Sequence, residues 1–82
     1  MNDLEILRRV TAVVAEILEI EGLQLAPATT AAQVAGWDSI ATVEIMVSLE
    51  KEFGIRFRTG EMTAAANVGE LVERISQRLP RG

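Results

Sequence analysis

Apolar residues recur along the first quarter of this chain at helical spacing. Leu4, Leu7, Val10, Val14, Ile17 and Leu18 follow a 3.6-residue repeat, and Ile6, Val13 and Ile20 widen the stripe. The spacing predicts a first helix over residues 2–22. Asn2 with Glu5 three residues on has the form of a capping box, and Gly22 supplies a natural stop.

The periodicity then lapses. Residues 21–38 contain Gly22, Pro27, Gly36 and a run of small residues over 27–32, and they read as one long connection. Loops of that length are uncommon in compact domains and are often functional. Leu23, Leu25 and Val34 are expected to pin it to the core, because ordering a loop without burial costs entropy for no return.

Helical spacing resumes from Asp38 or Ser39 to Phe53, with Gly54 closing the segment. Ile40, Val43, Ile45, Met46, Val47, Leu49 and Phe53 cover more than half of its wheel, which exceeds what a surface helix needs. Ala41, Glu44, Ser48, Lys51 and Glu52 fall on the remaining face, with Ile40 and Val47 on its border. Glu50 falls inside the apolar arc, and the pattern gives no reason for it. Residues 59–66 form a short helical candidate whose propensity is lowered by Gly60. A last helix opens on the capping pair Asn67 and Glu70, and Val68, Leu71, Val72, Ile75 and Leu79 follow one face until Pro80 ends it. Strand-like alternation is nowhere sustained. The expected fold is all-α, a four-helix bundle of three main helices and one short one, in a single domain spanning residues 1–82.

Composition narrows the chemistry. The 82 residues include no His, Cys or Tyr, so Ser-His-Asp and Cys-His catalysis, thiolate or imidazole metal sites and disulfides are all excluded. No pair of carboxylates sits in a context that would separate two pKa values for acid–base work. We expect no enzyme. Twelve acidic against eight basic side chains oppose binding to nucleic acid or anionic lipid. Net charge is −3 over residues 1–37, −3 over 38–53 and +2 over 54–82, which suggests a polarised docking surface. No apolar run approaches a bilayer span, and Asp3 and Glu5 make the start unlike a secretion signal, so a cytoplasmic protein is expected; Met1 and the early stop suggest a free-standing protein, with an excised module of a larger synthase as the alternative, and a monomer is expected.

Of the three serines, Ser39, Ser48 and Ser76, only Ser39 stands where a long loop runs into a helix N-terminus. Unpaired N–H groups and the positive end of the helix dipole favour a bound or attached phosphate there. Position alone leaves a second reading open, in which Ser39 or Asp38 simply caps the helix.

The residues in order add a resemblance. Gly36-Trp37-Asp38-Ser39-Ile40, then Thr42-Val43-Glu44-Ile45, then Leu49-Glu50-Lys51-Glu52-Phe53-Gly54, closely resemble the acyl carrier protein family, whose pattern is Asp-Ser-Leu opening an acidic helix that ends in Glu-x-Glu-Phe. Val68, Val72 and Ile75 also fall where that family places its last-helix core. The resemblance implies that a phosphopantetheinyl transferase moves phosphopantetheine from coenzyme A onto Ser39, and that acyl or aminoacyl groups ride on this arm as thioesters. It implies that Asp38 helps position the metal of the transferase complex. It implies docking of loading and synthase enzymes on Glu44, Glu50 and Glu52, with Ile40 and Val47 as apolar contacts, and an acyl pocket near Val43, Val47, Met62, Ala65 and Leu71. A chain without cysteine suits this, since the thiol belongs to the arm.

Several residues depart from the family pattern. Ala41 and Lys51 stand at positions often acidic in fatty-acid carriers, Arg56 and Arg58 make the next loop basic, and residues 64–66 are all alanine. Trp37 replaces a small residue, either to anchor the loop over the core or to offer partners an aromatic contact. These departures point to a specialised pathway, polyketide-like, aminoacyl or modified-acyl. A fatty-acid synthase carrier is the first alternative, and an unmodified helical adaptor is the rival from another class.

Overall fold

The computed structural model describes residues 1–79. Four α-helices, α1 (Asp3–Leu18), α2 (Ser39–Phe53), α3 (Glu61–Ala64) and α4 (Val68–Arg78), account for its regular structure together with a 3-10 turn at Ala31–Gln33; the described residues contain no strand. The protein is all-helical, as its apolar spacing predicts. The proposed stop at Pro80 lies outside the described residues.

The first helix is shorter than its pattern. Asn2 caps it, its side chain accepting from the Glu5 N–H at 2.9 Å, but it ends at Leu18 and not at Gly22. Glu19 takes the left-handed conformation (φ 55°), with the Glu19 N–H donating to the Glu16 carbonyl and the Ile20 N–H to the Ala15 carbonyl. This paired closure satisfies the last carbonyls. A non-glycine residue there costs about 1–2 kcal/mol. Ending early leaves enough chain for Leu25 to reach the core and be buried, with Leu23 and Val34 packed partly against it.

One core joins the helices. Ile6, Val10 and Val14 of α1 meet Ile45, Leu49 and Phe53 of α2, and Val68, Leu71, Val72 and Ile75 of α4, with Met62 of α3 and Ile55 closing the ends. No polar side chain is buried among the described residues. The wheel of α2 is rotated relative to the sequence expectation. Ala41, assigned to the outer face, is buried, whereas Val43, assigned to the apolar arc, is 56% exposed. Alanine is small enough to sit where α2 approaches its neighbours, and hydrophobicity alone does not distinguish such a contact from a surface position.

The long connection is held by α4. The Val68 N–H donates to the Thr29 carbonyl and the Gly69 N–H to the Pro27 carbonyl, each at 2.8 Å, while the Asn67 side chain accepts from the Glu70 N–H. Three of the unpaired donors at the start of α4 are thereby satisfied. Glycine at position 69 eases this approach, since a Cβ there would stand 3.0 Å from the Pro27 carbonyl oxygen and the loop would have to give by a few tenths of an ångström.

Helix α3 is a single turn with low propensity, and Glu61 fastens it. Its carboxylate accepts from the Arg58 N–H at 2.9 Å and pairs with the Arg78 guanidinium, while Arg74 donates to the Glu61 carbonyl. Partial burial by itself would raise the Glu61 pKa. The Arg58 N–H, the Arg78 hydrogen bond and the charges of Arg78 and Arg74 outweigh it and hold the carboxyl below the ordinary glutamate value. A depressed folded-state pKa contributes stability that is present above the unfolded value and is lost as pH falls through the folded one. The stability gap between wild type and Glu61→Gln is therefore widest near neutrality and closes as acid protonates Glu61. Urea titrations of both proteins across the acid range measure this gap, and a gap independent of pH would refute the clamp.

Candidate functional site

The candidate site is built at the junction of the long loop and α2. Gly36, in a positive-φ conformation (86°), turns the chain. The Trp37 N–H then donates to the Val34 carbonyl, the Asp38 N–H donates to that of Gly36, and Asp38 adopts an extended conformation (φ −103°, ψ −172°). From this position its carboxylate accepts from the Ala41 N–H at 2.8 Å, and its carbonyl accepts from the Thr42 N–H at 2.9 Å. Asp38 is the cap. Ser39 is the first helical residue, solvent-exposed, and its hydroxyl makes no hydrogen bond among the described residues. Nor do the Ser39 and Ile40 N–H groups have a partner there, so the helix start presents a primary hydroxyl beside two free donors. That arrangement can accept a phosphodiester, with the helix dipole favouring its charge.

Trp37 fastens the loop to the helix it precedes. Its indole N–H donates to the Thr42 hydroxyl at 3.0 Å, and that hydroxyl donates to the Asp38 carbonyl at 2.9 Å. The ring is half-buried against the core. Of its two sequence-based roles, the anchoring one is the one the geometry displays. Thr42, which the motif carries without comment, is the residue sequence reasoning missed. Its signal is a hydroxyl four residues after a cap, within reach of the cap's own carbonyl.

A cavity of about 120 Å³ opens behind this turn. Met62, Ala65 and Leu71, three of the five residues expected around an acyl pocket, line it together with Trp37, Thr42 and Val68. Val43 and Val47 lie outside the cavity, on the exposed side of α2 (56% and 41% exposed).

The five residues expected to dock partners are not equivalent. Ile40 is 72% exposed, and Glu44 is exposed with no ion pair among the described residues. Glu50 is partly buried, and its carboxylate accepts from the Phe57 N–H at 2.8 Å, which explains a charge inside the apolar arc: it organises the turn after α2. Glu52 pairs with Arg9 of α1 at 3.3 Å, an exposed contact worth less than about 1 kcal/mol. The described residues contain no cluster of His, Cys, Asp or Glu able to hold a metal.

Comparison with known proteins finds one family along most of the chain. The family model for the phosphopantetheine attachment site matches residues 8–75. An acyl carrier protein of Thermosynechococcus vestitus is 30% identical over 79 residues, covering 96% of this chain and 98% of its own. One from Helicobacter pylori is 32% identical over 66 residues, covering 80% and 85%. The solution NMR structure of the holo acyl carrier protein from Geobacter metallireducens superposes with a TM-score of 0.79 at 28% identity, covering 88% of this chain and 83% of that one.

The Trp37–Thr42–Asp38 relay is open to a direct test. Thr42→Val keeps the shape but leaves the indole N–H without its acceptor, at a cost of about 1–2 kcal/mol. Urea denaturation should show that loss, and emission from Trp37, the only tryptophan, should shift to the red as the ring loosens. Unchanged stability and emission would show that the relay anchors nothing.

Proposed function

We propose a role for Ser39 that proceeds from one fact: this chain belongs to the acyl carrier protein family. It is a carrier and not a catalyst, and its cofactor is a covalent phosphopantetheine. Ser39 is the attachment point, and the observation that carries this reading is the division of labour at the helix start. Asp38 caps α2, so the adjacent hydroxyl is left exposed and unbonded for a transferase to reach. Asp38 also assists the metal of the loading complex through the carboxylate oxygen that the cap leaves over. Residues 1–82 act as one carrier domain, monomeric and cytoplasmic, and no helix of the described residues is long and apolar enough to cross a membrane.

The cargo is short. A cavity of about 150 Å³ is known to hold benzene, so about 120 Å³ takes about four or five carbons. Each buried methylene contributes about 0.8 kcal/mol, enough to shelter such a chain and still release it. Trp37, Met62, Ala65, Val68 and Leu71 make the lining mainly apolar, and Thr42 and Asn67 already bond within the fold, so a small aliphatic acyl group suits the site better than a long alkyl chain. This supports a specialised pathway over fatty-acid synthesis.

Intact-mass analysis after incubation with coenzyme A and a broad-specificity phosphopantetheinyl transferase should show the gain of one arm. Ser39→Ala should fold and gain nothing; an arm on that variant, or none on the wild type, would refute the assignment. On the armed protein, a four-carbon acyl group should raise the thermal midpoint and alter Trp37 emission, whereas a sixteen-carbon chain should do no better. Stabilisation that keeps growing with chain length would place the cargo among long fatty acids.

A further inference from the structure

The cavity beside the Ser39 junction has walls that are held in different ways. Met62, Val68 and Leu71 are buried members of the core, so none of them can retreat without uncovering it. Helix α3, which carries Met62, is fastened through Glu61 to the Arg58 N–H and to Arg78, and the start of α4, which carries Val68, is bonded to the loop through the Thr29 and Pro27 carbonyls. Ala31 and Ala65 are already small. Trp37 is different. It is the one large apolar side chain among the described lining residues that is only partly buried, and it stands in the loop and not in a helix.

Its ring is nonetheless fixed. The indole N–H donates to the Thr42 hydroxyl at 3.0 Å, that hydroxyl donates to the Asp38 carbonyl at 2.9 Å, and Asp38 caps the helix whose first residue is Ser39. Trp37 and Ser39 are thus held to the same cap, one on each side of it. An acyl chain that starts from an arm on Ser39 and enters the cavity meets a ring whose position relative to the arm's root the fold has set. The ring is also large on the scale of the space beside it. A cavity of about 150 Å³ holds benzene, and an indole is bulkier than benzene, so removing the ring would roughly double the cavity of about 120 Å³.

We propose that Trp37 sets the length of the cargo, as the wall at which an acyl chain of more than about five carbons stops. The inference rests on Ser39 as the attachment point and on the cavity as the acyl pocket. Thr42 is the positioning residue for this wall, since its hydroxyl holds the indole in place.

The test uses the full chain armed with phosphopantetheine and loaded with a straight four-, eight- or sixteen-carbon acyl group, in the wild type and in Trp37→Leu. For each protein the thermal midpoint is read as the gain over its own unacylated, armed form, so the stability lost with the indole cancels. The wild-type gain should be largest with four carbons. In Trp37→Leu the gain should be larger with eight carbons than with four, and hydroxylamine should cleave the eight-carbon thioester at least about fourfold more slowly than on the wild type, the shift that one further sheltered methylene gives. A ring that only anchored the loop would move neither the optimum nor the cleavage rate. Should Trp37→Leu fail to fold, Trp37→Phe, which keeps a ring and removes part of the bulk, carries the same comparison with six carbons in place of eight. An unshifted four-carbon optimum in the variant, or equal cleavage rates, would overturn the length-setting role and leave the arm and the short cargo in place. A wild-type gain that grows up to sixteen carbons would overturn the short cargo as well. A wild-type chain that accepts no arm would remove all of these readings, and the mass measurement separates that case.

Discussion

A helix that begins inside a folded domain must find partners for its first N–H groups, and the two ends of the long connection are organised around that requirement. At α4 the carbonyls of Pro27 and Thr29 accept from Gly69 and Val68, so the middle of the loop is clamped. At α2 the Asp38 carboxylate accepts from Ala41, so the end of the loop is the cap. Between these points the indole of Trp37 and the hydroxyl of Thr42 tie the loop to the helix it enters. The position of Ser39 follows from these bonds. A serine that capped its own helix would have its hydroxyl engaged; an aspartate one residue earlier frees it.

The same economy governs the core. In a chain this small, little apolar surface can be removed from water, and among the described residues none of the core positions is given to a polar side chain. Charged groups instead work at the edges, where they hold turns that propensity would not. Glu61 draws Arg58, Arg74 and Arg78 around a one-turn helix, and Glu50 gathers the chain after α2 through the Phe57 N–H. Both act through backbone groups, so they fix chain direction as well as attract charge. The cavity beneath Trp37 borders α3, and its wall at Met62 and Ala65 is as firm as that clamp.

Much of this was legible in the sequence. Apolar spacing and capping pairs located α1, α2 and α4, because those signals are local and the core reinforces them. The junction at Ser39 was legible for the same reason, as a loop without periodicity meeting a helix with it. What escaped depended on contacts between distant segments. Gly22 looked like the end of α1, but Leu25 has to reach the core, and the chain turns at Glu19 to allow it. Ala41 and Val43 exchanged places because a wheel records hydrophobicity and not how closely a neighbour approaches. Glu50 made no sense until the chain that follows α2 folded back over it. Thr42 carried no signal beyond its hydroxyl, since its partner Trp37 lies across the turn.

The acidic residues of α2 and its cap show why sequence charge is a poor guide to a docking surface. Asp38, Glu44, Glu50 and Glu52 read as one acidic block, yet three of the four have intramolecular duties: a cap, a turn and a contact with α1. Each such bond lowers the field that the carboxylate offers to an approaching protein, because the partner group already compensates its charge. Val43 of the same helix behaves in the opposite way, since a side chain expected in the apolar arc lies outside, and it joins Ile40 and Val47 of the border in water. Glu50 and Glu52 therefore serve the fold around α2 first, and of the four side chains only that of Glu44 has neither a hydrogen bond nor an ion pair among the described residues.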